Sequence, residues 1–173
     1  MLYGKGRCYA PGVTAPDFEQ FPLVSKGNAY EDFEIGTVFT HHWGRTLTDA
    51  DNTIFSTAFC SWNPLYLNAP YAIEHGHPGP VMNPMLVLCT VVGLSVEDLS
   101  ERGGAFLGIE DCTFAAPVYA GDTITAASTV ISRRESASNP GYGIAAWRTE
   151  ARNQRGEVVV SYTRTNMVTT RDR

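Results

Sequence analysis

Between residues 61 and 77 the chain gathers Ser61, Tyr66, His75 and His77, the side chains best suited to moving a proton. A serine hydroxyl does not ionise near neutrality without a group to take its proton, so Ser61 alone cannot be a base. Tyr66, a phenol, can donate a proton or orient a polar group but is a weak base. His75 and His77 lie in Glu74-His75-Gly76-His77-Pro78-Gly79-Pro80, a flexible run whose imidazoles can reach a bound ligand and move a proton. They are the best base candidates in the chain; the plainer reading is a pair of solvated loop histidines. His-x-His without a clear carboxylate partner does not make a metal site, so no metal and no cofactor is expected.

Other reactive side chains have plainer accounts. Cys60 adjoins Ser61, but no paired histidine is evident, and buried inert thiols are the commoner case. Cys8, Cys60, Cys89 and Cys112 lie far apart without metal-ligand spacing, which favours free thiols in a reducing cytosol over disulfides or zinc. Adjacent His41 and His42 fall on a predicted strand, face opposite sides and cannot act as a pair. Asp51 follows Thr48 by three residues, a capping-box spacing that explains it without catalysis.

These residues sit in a chain of 173 residues, 43% hydrophobic and 18% charged, which suits one globular domain with a substantial core. The net charge of −5 argues against a dominant nucleic-acid or anionic-membrane surface. The N-terminus lacks the apolar stretch of a signal peptide, and no segment reaches the roughly 20 apolar residues that span a bilayer, so a cytoplasmic protein is expected. Residues 1–29, rich in Gly and Pro, read as an extended arm, and 30–173 as a single domain.

The positioning elements follow from periodicity. Residues 38–46 suggest a strand, followed by a helix start at Thr48. Met82 to Leu94 is apolar at every helical phase and predicts a helix buried all round, with Asn83 as N-cap and Pro84 at the first helical position. Strands are predicted at 106–114, 123–133, 142–152 and 158–168, with a hairpin turn at Asn153-Gln154-Arg155-Gly156. A strand, a short helix, a buried helix and an antiparallel meander make an α+β layout in which the sheet wraps the helix.

Five segments resemble one family. Phe59-Cys60-Ser61-Trp62-Asn63-Pro64-Leu65-Tyr66 resembles the Asp-x-Asn-Pro-x-His loop of the MaoC-like, (R)-specific enoyl-CoA hydratases, with Ser61 in the Asp position and Tyr66 in the His position. Residues 30–36 are similar to the family's entry segment, and residues 116–123 to its Pro-Val-x-x-Gly-Asp-Thr corner. Residues 93–100 and 133–136 are most like the mesaconyl-CoA and itaconyl-CoA hydratase branch.

The resemblance implies a hotdog fold and an acyl-CoA or acyl-carrier thioester as ligand. It implies a cleft between Ser61–Tyr66 and the helix start at Asn83, with Asn63 and Pro64 shaping the loop. The helix start would hold the thioester oxygen through the amides of Met85 and Leu86, since Pro84 has no N–H. Trp62 and Phe59 would shape an acyl pocket or pack in the core, and Arg133, Arg134 and Arg164 are candidates for the coenzyme A phosphates or ordinary strand arginines. A homodimer or larger assembly through paired sheet edges is expected.

The preferred activity is hydration or dehydration with an altered active site. One alternative is a catalytically silent hotdog subunit that binds the thioester or completes a hetero-oligomer with an intact homologue. The other is a thioesterase, for which the helix start offers only Ser61, Asn63 and Asn83 and no carboxylate.

Overall fold

The computed structural model describes residues 26–172, so all but the last residues of the expected N-terminal arm lie outside the described part. A short 3-10 turn at Tyr30–Asp32 leads into strands β1 (Val38–Thr40) and β2 (Arg45–Thr46). Helices α1 (Asp49–Ala58), α2 (Pro64–Leu67), α3 (Ala69–Glu74), α4 (Pro84–Leu94) and α5 (Val96–Leu99) follow. Strands β3 (Phe106–Phe114), β4 (Thr123–Glu135), β5 (Tyr142–Arg152) and β6 (Val158–Thr169) complete the chain.

The sheet is antiparallel in the order β1-β4-β5-β6-β3, with β2 continuing beside β4. The last four strands are therefore not a simple meander: β3 crosses over to the far edge, outside β6. Along β4 the buried residues are Ile124, Ala126, Ser128 and Val130, the alternation of a strand with one face against a core. The Asn153–Gly156 hairpin forms as expected, with Gly156 at φ 79°.

Helix α4 packs into the concave face of this sheet. Leu86, Val87, Leu88 and Val91 are buried against Ile124 and Val160, among others. At about 1.5–3 kcal/mol for each such side chain, this burial outweighs the modest helix propensity of Val87, Val91 and Val92. The expectation of burial all round is corrected: Met85, Cys89 and Gly93, spaced by four on one face, are exposed. Sheet and α1 cover only part of the helix's circumference. A second cluster joins Phe33, Leu99, Trp147 and Val168, with the rings of Phe33 and Trp147 edge-to-face at 4.9 Å.

The predicted strand over 38–46 is broken in two. Thr40 pairs with Ala127 and Arg45 with Ile124, so residues 41–44 oppose only 125 and 126. The bulge lets His41 turn inward, where Nδ1 meets Asp98 Oδ2 at 2.6 Å and Nε2 meets Ser128 Oγ at 2.8 Å. His42 and Trp43 face outward, and a Cβ on Gly44 would approach the Thr125 methyl to 3.2 Å, a tight contact.

The corner before β4 is held by Asp122. Burial pushes its carboxyl up, but the Tyr119 amide at 3.0 Å, Gln154 at 2.8 Å and Arg155 at 2.9 Å outweigh burial and hold the pKa below the ordinary aspartate value. A carboxylate lowered in this way stabilises the fold above its unfolded pKa of about 3.9 and loses that contribution as pH falls through its folded value. Asp122→Asn should cost about 1–2 kcal/mol near neutrality, and its deficit should shrink as pH falls below the unfolded value of about 3.9. Urea midpoints across this range read the effect; a deficit that does not change with pH would show that the charge contributes nothing.

Candidate functional site

The start of α4 lies inside the protein, so its amides need partners there. Asn83, 3% exposed, supplies the cap: its Oδ1 accepts from the Met85 amide at 3.0 Å. Its own N–H donates to Asn52 Oδ1 at 2.8 Å, and its Nδ2 donates to Ser56 Oγ and Ser61 Oγ, both at 3.2 Å. Asn52 Nδ2 in turn donates to the carbonyls of Tyr66 at 2.9 Å and Val81 at 3.1 Å. One polar cluster thus ties α1, the Ser61–Tyr66 loop and the segment before α4 to the helix start.

The loop owes its own shape to local capping. Asn63 Oδ1 accepts from the Leu65 amide at 3.0 Å, and Pro64 takes the first helical position of α2. Cys60 occupies the left-handed region at φ 54°, and the Ser61 amide donates back to the Ser56 carbonyl at 2.8 Å.

The expected cleft components therefore meet in part. Ser61 lies at the helix start, in contact with Asn83, and Tyr66 is carried on the same loop with its hydroxyl bonded to no described residue. Pro84 contributes no N–H and the Met85 amide is taken by the cap, so the Leu86 amide is the first at this end without an acceptor among the described residues. The expectation that Met85 offers its amide is corrected accordingly, although its side chain is exposed at the rim.

The histidines separate. His77 Nδ1 meets the Tyr119 hydroxyl at 2.9 Å, and Tyr119 bridges to Val81, whose amide donates to the Leu65 carbonyl at 2.9 Å. His77 is thereby linked to the loop through Tyr119 and Val81. His75 is exposed, stacks on Tyr71 at 4.0 Å and bonds the Tyr71 carbonyl at 2.8 Å, so it is not brought to the loop.

Several other expectations change. Trp62 and Phe59 are exposed and fill no core in the single chain. The Cys60 thiol is exposed rather than buried. Arg164 is 2% exposed; its donors go to Asn166 at 2.9 Å, Ser95 at 2.9 Å and Ser100 at 2.8 Å, so it holds the end of α4 and does not face a phosphate. Burial lowers its pKa from the usual arginine value. Arg133 donates to the carbonyls of Glu31 and Phe33 and fastens the 3-10 turn. Asn52 and Ser56 were missed, although polar residues four apart on an otherwise inward helix face signal a buried polar seam.

Among the described residues no group of three His, Cys, Asp or Glu side chains is placed to hold a metal ion, and no helix is long and apolar enough to cross a membrane. A groove of about 320 Å³ runs along the exposed face of α4, lined by Trp43, Leu86, Cys89, Thr90 and Leu94, with Arg45 and Glu97 also in its wall. The Thr90 hydroxyl is buried there without a hydrogen-bond partner.

A family model described as mesaconyl-CoA hydratase matches residues 17–173. The mesaconyl-CoA hydratase of Haloarcula marismortui is 40% identical over 148 residues, which are 85% of this chain and 41% of that protein. The solved structure of a putative MaoC domain protein dehydratase from Chloroflexus aurantiacus superposes with a TM-score of 0.80 at 34% identity, over 84% of this chain and 41% of that one. A Mycobacterium tuberculosis protein with a double hotdog fold superposes with a TM-score of 0.77 at 24% identity, over 83% of this chain and 44% of that one. The chain spans about two-fifths of the length of these relatives.

The polar cluster predicts an asymmetry between two asparagines. Asn52→Ala strands the Asn83 amide and two carbonyls and should cost about 2–4 kcal/mol, whereas Asn63→Ala removes one exposed cap and should cost about 1 kcal/mol or less. Equal urea midpoints for the two variants would show that the cluster does not hold the site together.

Proposed function

The chain belongs to the mesaconyl-CoA hydratase family, and on that premise we propose that it is a MaoC-like hydratase/dehydratase acting on a short enoyl thioester of coenzyme A. The observation that carries this reading is the Asn83 Nδ2 to Ser61 Oγ hydrogen bond of 3.2 Å, which seats the altered loop at the amino end of α4. Such a helix end favours negative charge.

Hydration adds the oxygen of water to the β-carbon and a proton to the α-carbon. The carbon–carbon π bond is lost, and negative charge builds on the thioester oxygen. In this reading the Leu86 amide and the helix dipole meet that oxygen. Tyr66 donates a hydrogen bond or a proton. His77 is the remaining base in this reading: in the tautomer whose Nδ1–H donates to the Tyr119 oxygen, Nε2 can take the proton of water. Asn63, Trp62, Ser61 and the Met85 side chain shape the entrance. Arg164, buried and bonded to Asn166, Ser95 and Ser100, is given no role in binding in this reading.

A second reading is favoured by one observation. No titratable side chain contacts the Ser61 hydroxyl among the described residues, and the partners of His75 and His77 are a carbonyl and a phenol. In that reading the chain is the hotdog unit that binds the thioester while its mate carries an intact Asp-x-Asn-Pro-x-His loop. In both readings it works as one of a pair of hotdog units, in the cytoplasm.

Hydration of mesaconyl-CoA, followed as loss of enoyl absorbance, separates the two. Wild-type turnover reduced tenfold or more in Tyr66→Phe or His77→Ala supports the altered active site. An inert wild type that still binds the thioester, and gains ~10² to 10⁴-fold in the double variant Ser61→Asp, Tyr66→His, supports the silent unit. A protein that neither binds nor turns over any enoyl-CoA sinks both.

A further inference from the structure

His41 is a buried histidine that the proposed reaction leaves unused. The bulge after β1 turns its side chain inward, where both ring nitrogens find partners: Nδ1 meets Asp98 Oδ2 at 2.6 Å and Nε2 meets Ser128 Oγ at 2.8 Å. Ser128 Oγ lies 2.8 Å from Thr149 Oγ1. Beyond Thr149 stands the fully buried Tyr162 hydroxyl, on which the hydroxyls of Thr149 and Ser95 both act while neither completes a hydrogen bond to it. Ser95 ends the row at the carboxyl end of α4, where it donates to the Val92 carbonyl at 2.7 Å and accepts from Arg164 at 2.9 Å.

We propose that His41 is a proton-operated switch: the charge on its ring sets the direction of every hydrogen in the row Ser128, Thr149, Tyr162, and with it how firmly α5 and Ser95 are held to the sheet. The direction follows from accounting, since a hydroxyl has one hydrogen to give and two lone pairs to receive. With a neutral ring whose Nδ1–H goes to Asp98, Nε2 needs a donor. Ser128 supplies it, Thr149 then donates to Ser128, and Tyr162 donates to Thr149, away from Ser95. With a second proton on the ring, Nε2–H donates to Ser128 and each hydrogen turns over, so that Tyr162 donates to Ser95. Ser95 has room for that bond: its own hydrogen is on the Val92 carbonyl, Arg164 takes one lone pair and the other is open. The added proton comes from water and stays on the imidazole; along the row O–H groups rotate and none is broken.

The surroundings support both states. Asp98, on α5, is the only charged side chain bonded to the ring among the described residues, and its side chain is 25% exposed, which gives the proton a way in. A buried imidazolium is tolerable only with such a partner. From β4 and β5 the neutral Ser128 and Thr149 face the row. On β6, burial pushes the Tyr162 phenol up to about 12, so it keeps its proton in either state. Arg164, also on β6, stands beyond Ser95, and Cys112 on β3, which acts on Tyr162, has a thiol that burial pushes up. On the outer side of the bulge His42 faces Glu97 at 3.6 Å in solvent, the exposed counterpart of the inner pair.

The element that feels the switch is α5. Its four residues start without a side-chain cap, and it is held by Asp98 to His41, by the Asp98 carbonyl to Asn28 at 2.8 Å, by Ser100 to Arg164 at 2.8 Å and by the buried Leu99. A charged His41 turns the first of these into an ion pair, stronger than a neutral donor can make. Glu97 of α5 and Trp43 of the bulge wall the same groove along α4, so the switch tightens or loosens that end of the groove.

The test is an NMR titration of the nitrogen-15 labelled full chain from about pH 8 to about pH 5, the span in which histidines change charge. It follows the His41 ring nitrogens, the Ser95 amide, and hydrogen exchange at the Leu99 and Ser100 amides, which donate to the Ser95 and Val96 carbonyls. In the wild type the Ser95 amide should shift with the same midpoint as the His41 ring. Protection at Leu99 and Ser100, corrected for the intrinsic exchange rate, should rise about tenfold on protonation, the gain of one charge-assisted hydrogen bond.

Tyr162→Phe removes a hydroxyl that completes no hydrogen bond, so the variant keeps its fold. In it His41 should still titrate while the Ser95 amide no longer follows. Thr149→Val should uncouple the two in the same way, and His42→Ala should leave both signals as they are. His41 ring nitrogens that stay constant across the range would overturn the switch. A Ser95 amide that still follows His41 in Tyr162→Phe would show that the coupling bypasses the row and overturn it as well, as would protection at α5 that falls on protonation.

Discussion

A helix laid inside a curved sheet has both ends away from bulk water, and satisfying those ends is the constraint on which the rest of this structure depends. At the amino end of α4 the orphan amides cannot be left unpaired without a cost of about 1–3 kcal/mol each. Asn83 caps the helix, and Asn52 holds Asn83. At the carboxyl end Ser95 returns a hydrogen bond of 2.7 Å to the Val92 carbonyl and receives Arg164 at 2.9 Å. No carboxylate pairs with Arg164 among the described residues, so the partial negative charge of the helix end and three side-chain oxygens take that role. Neutral polar residues and one cation thus orient the dipole with its positive end toward the Ser61 loop.

This division of labour would let the residues at positions 61 and 66 vary without loss of the fold. The cluster at the helix start is built from Asn52, Ser56, Ser61 and Asn83, which are uncharged at every pH the protein meets. An aspartate at position 61 would add a charge beside this cluster but is not needed to close it. Packing of Leu86, Val87, Leu88 and Val91 supplies the larger energy, several kcal/mol in sum. Scaffold and chemistry are therefore separable here. Asn63, Pro64 and the Asn83 cap hold the loop and the helix start without drawing on any titratable side chain.

Much of this was legible from residue patterns, and the misses have physical causes. The period-2 run from Thr123 to Val130 identified β4 and its inward face, and Thr48 with Asp51 identified the start of α1, because both signals are local. Helix α4 read as buried all round because apolar residues occupy every phase; composition does not say which face lacks a neighbour. The strand over 38–46 read as continuous because its break depends on His41 reaching Asp98, 57 residues away. Arg164 read as a surface residue by type, yet it continues the inward series Tyr162, Arg164, Asn166, Val168. The alternation carried the right answer and residue chemistry the wrong one. His75 and His77 sat equally near the loop in sequence and were parted by Tyr71 and Tyr119, partners that spacing does not reveal.

The same constraint bears on why the exposed stripe lies where it does. To bring its amino end to the Ser61 loop, α4 must run across the sheet with α1 beside it, and that leaves the Met85, Cys89 and Gly93 face uncovered. Covering it from within the chain would require another element over the groove, and that element would also close the approach to the helix start.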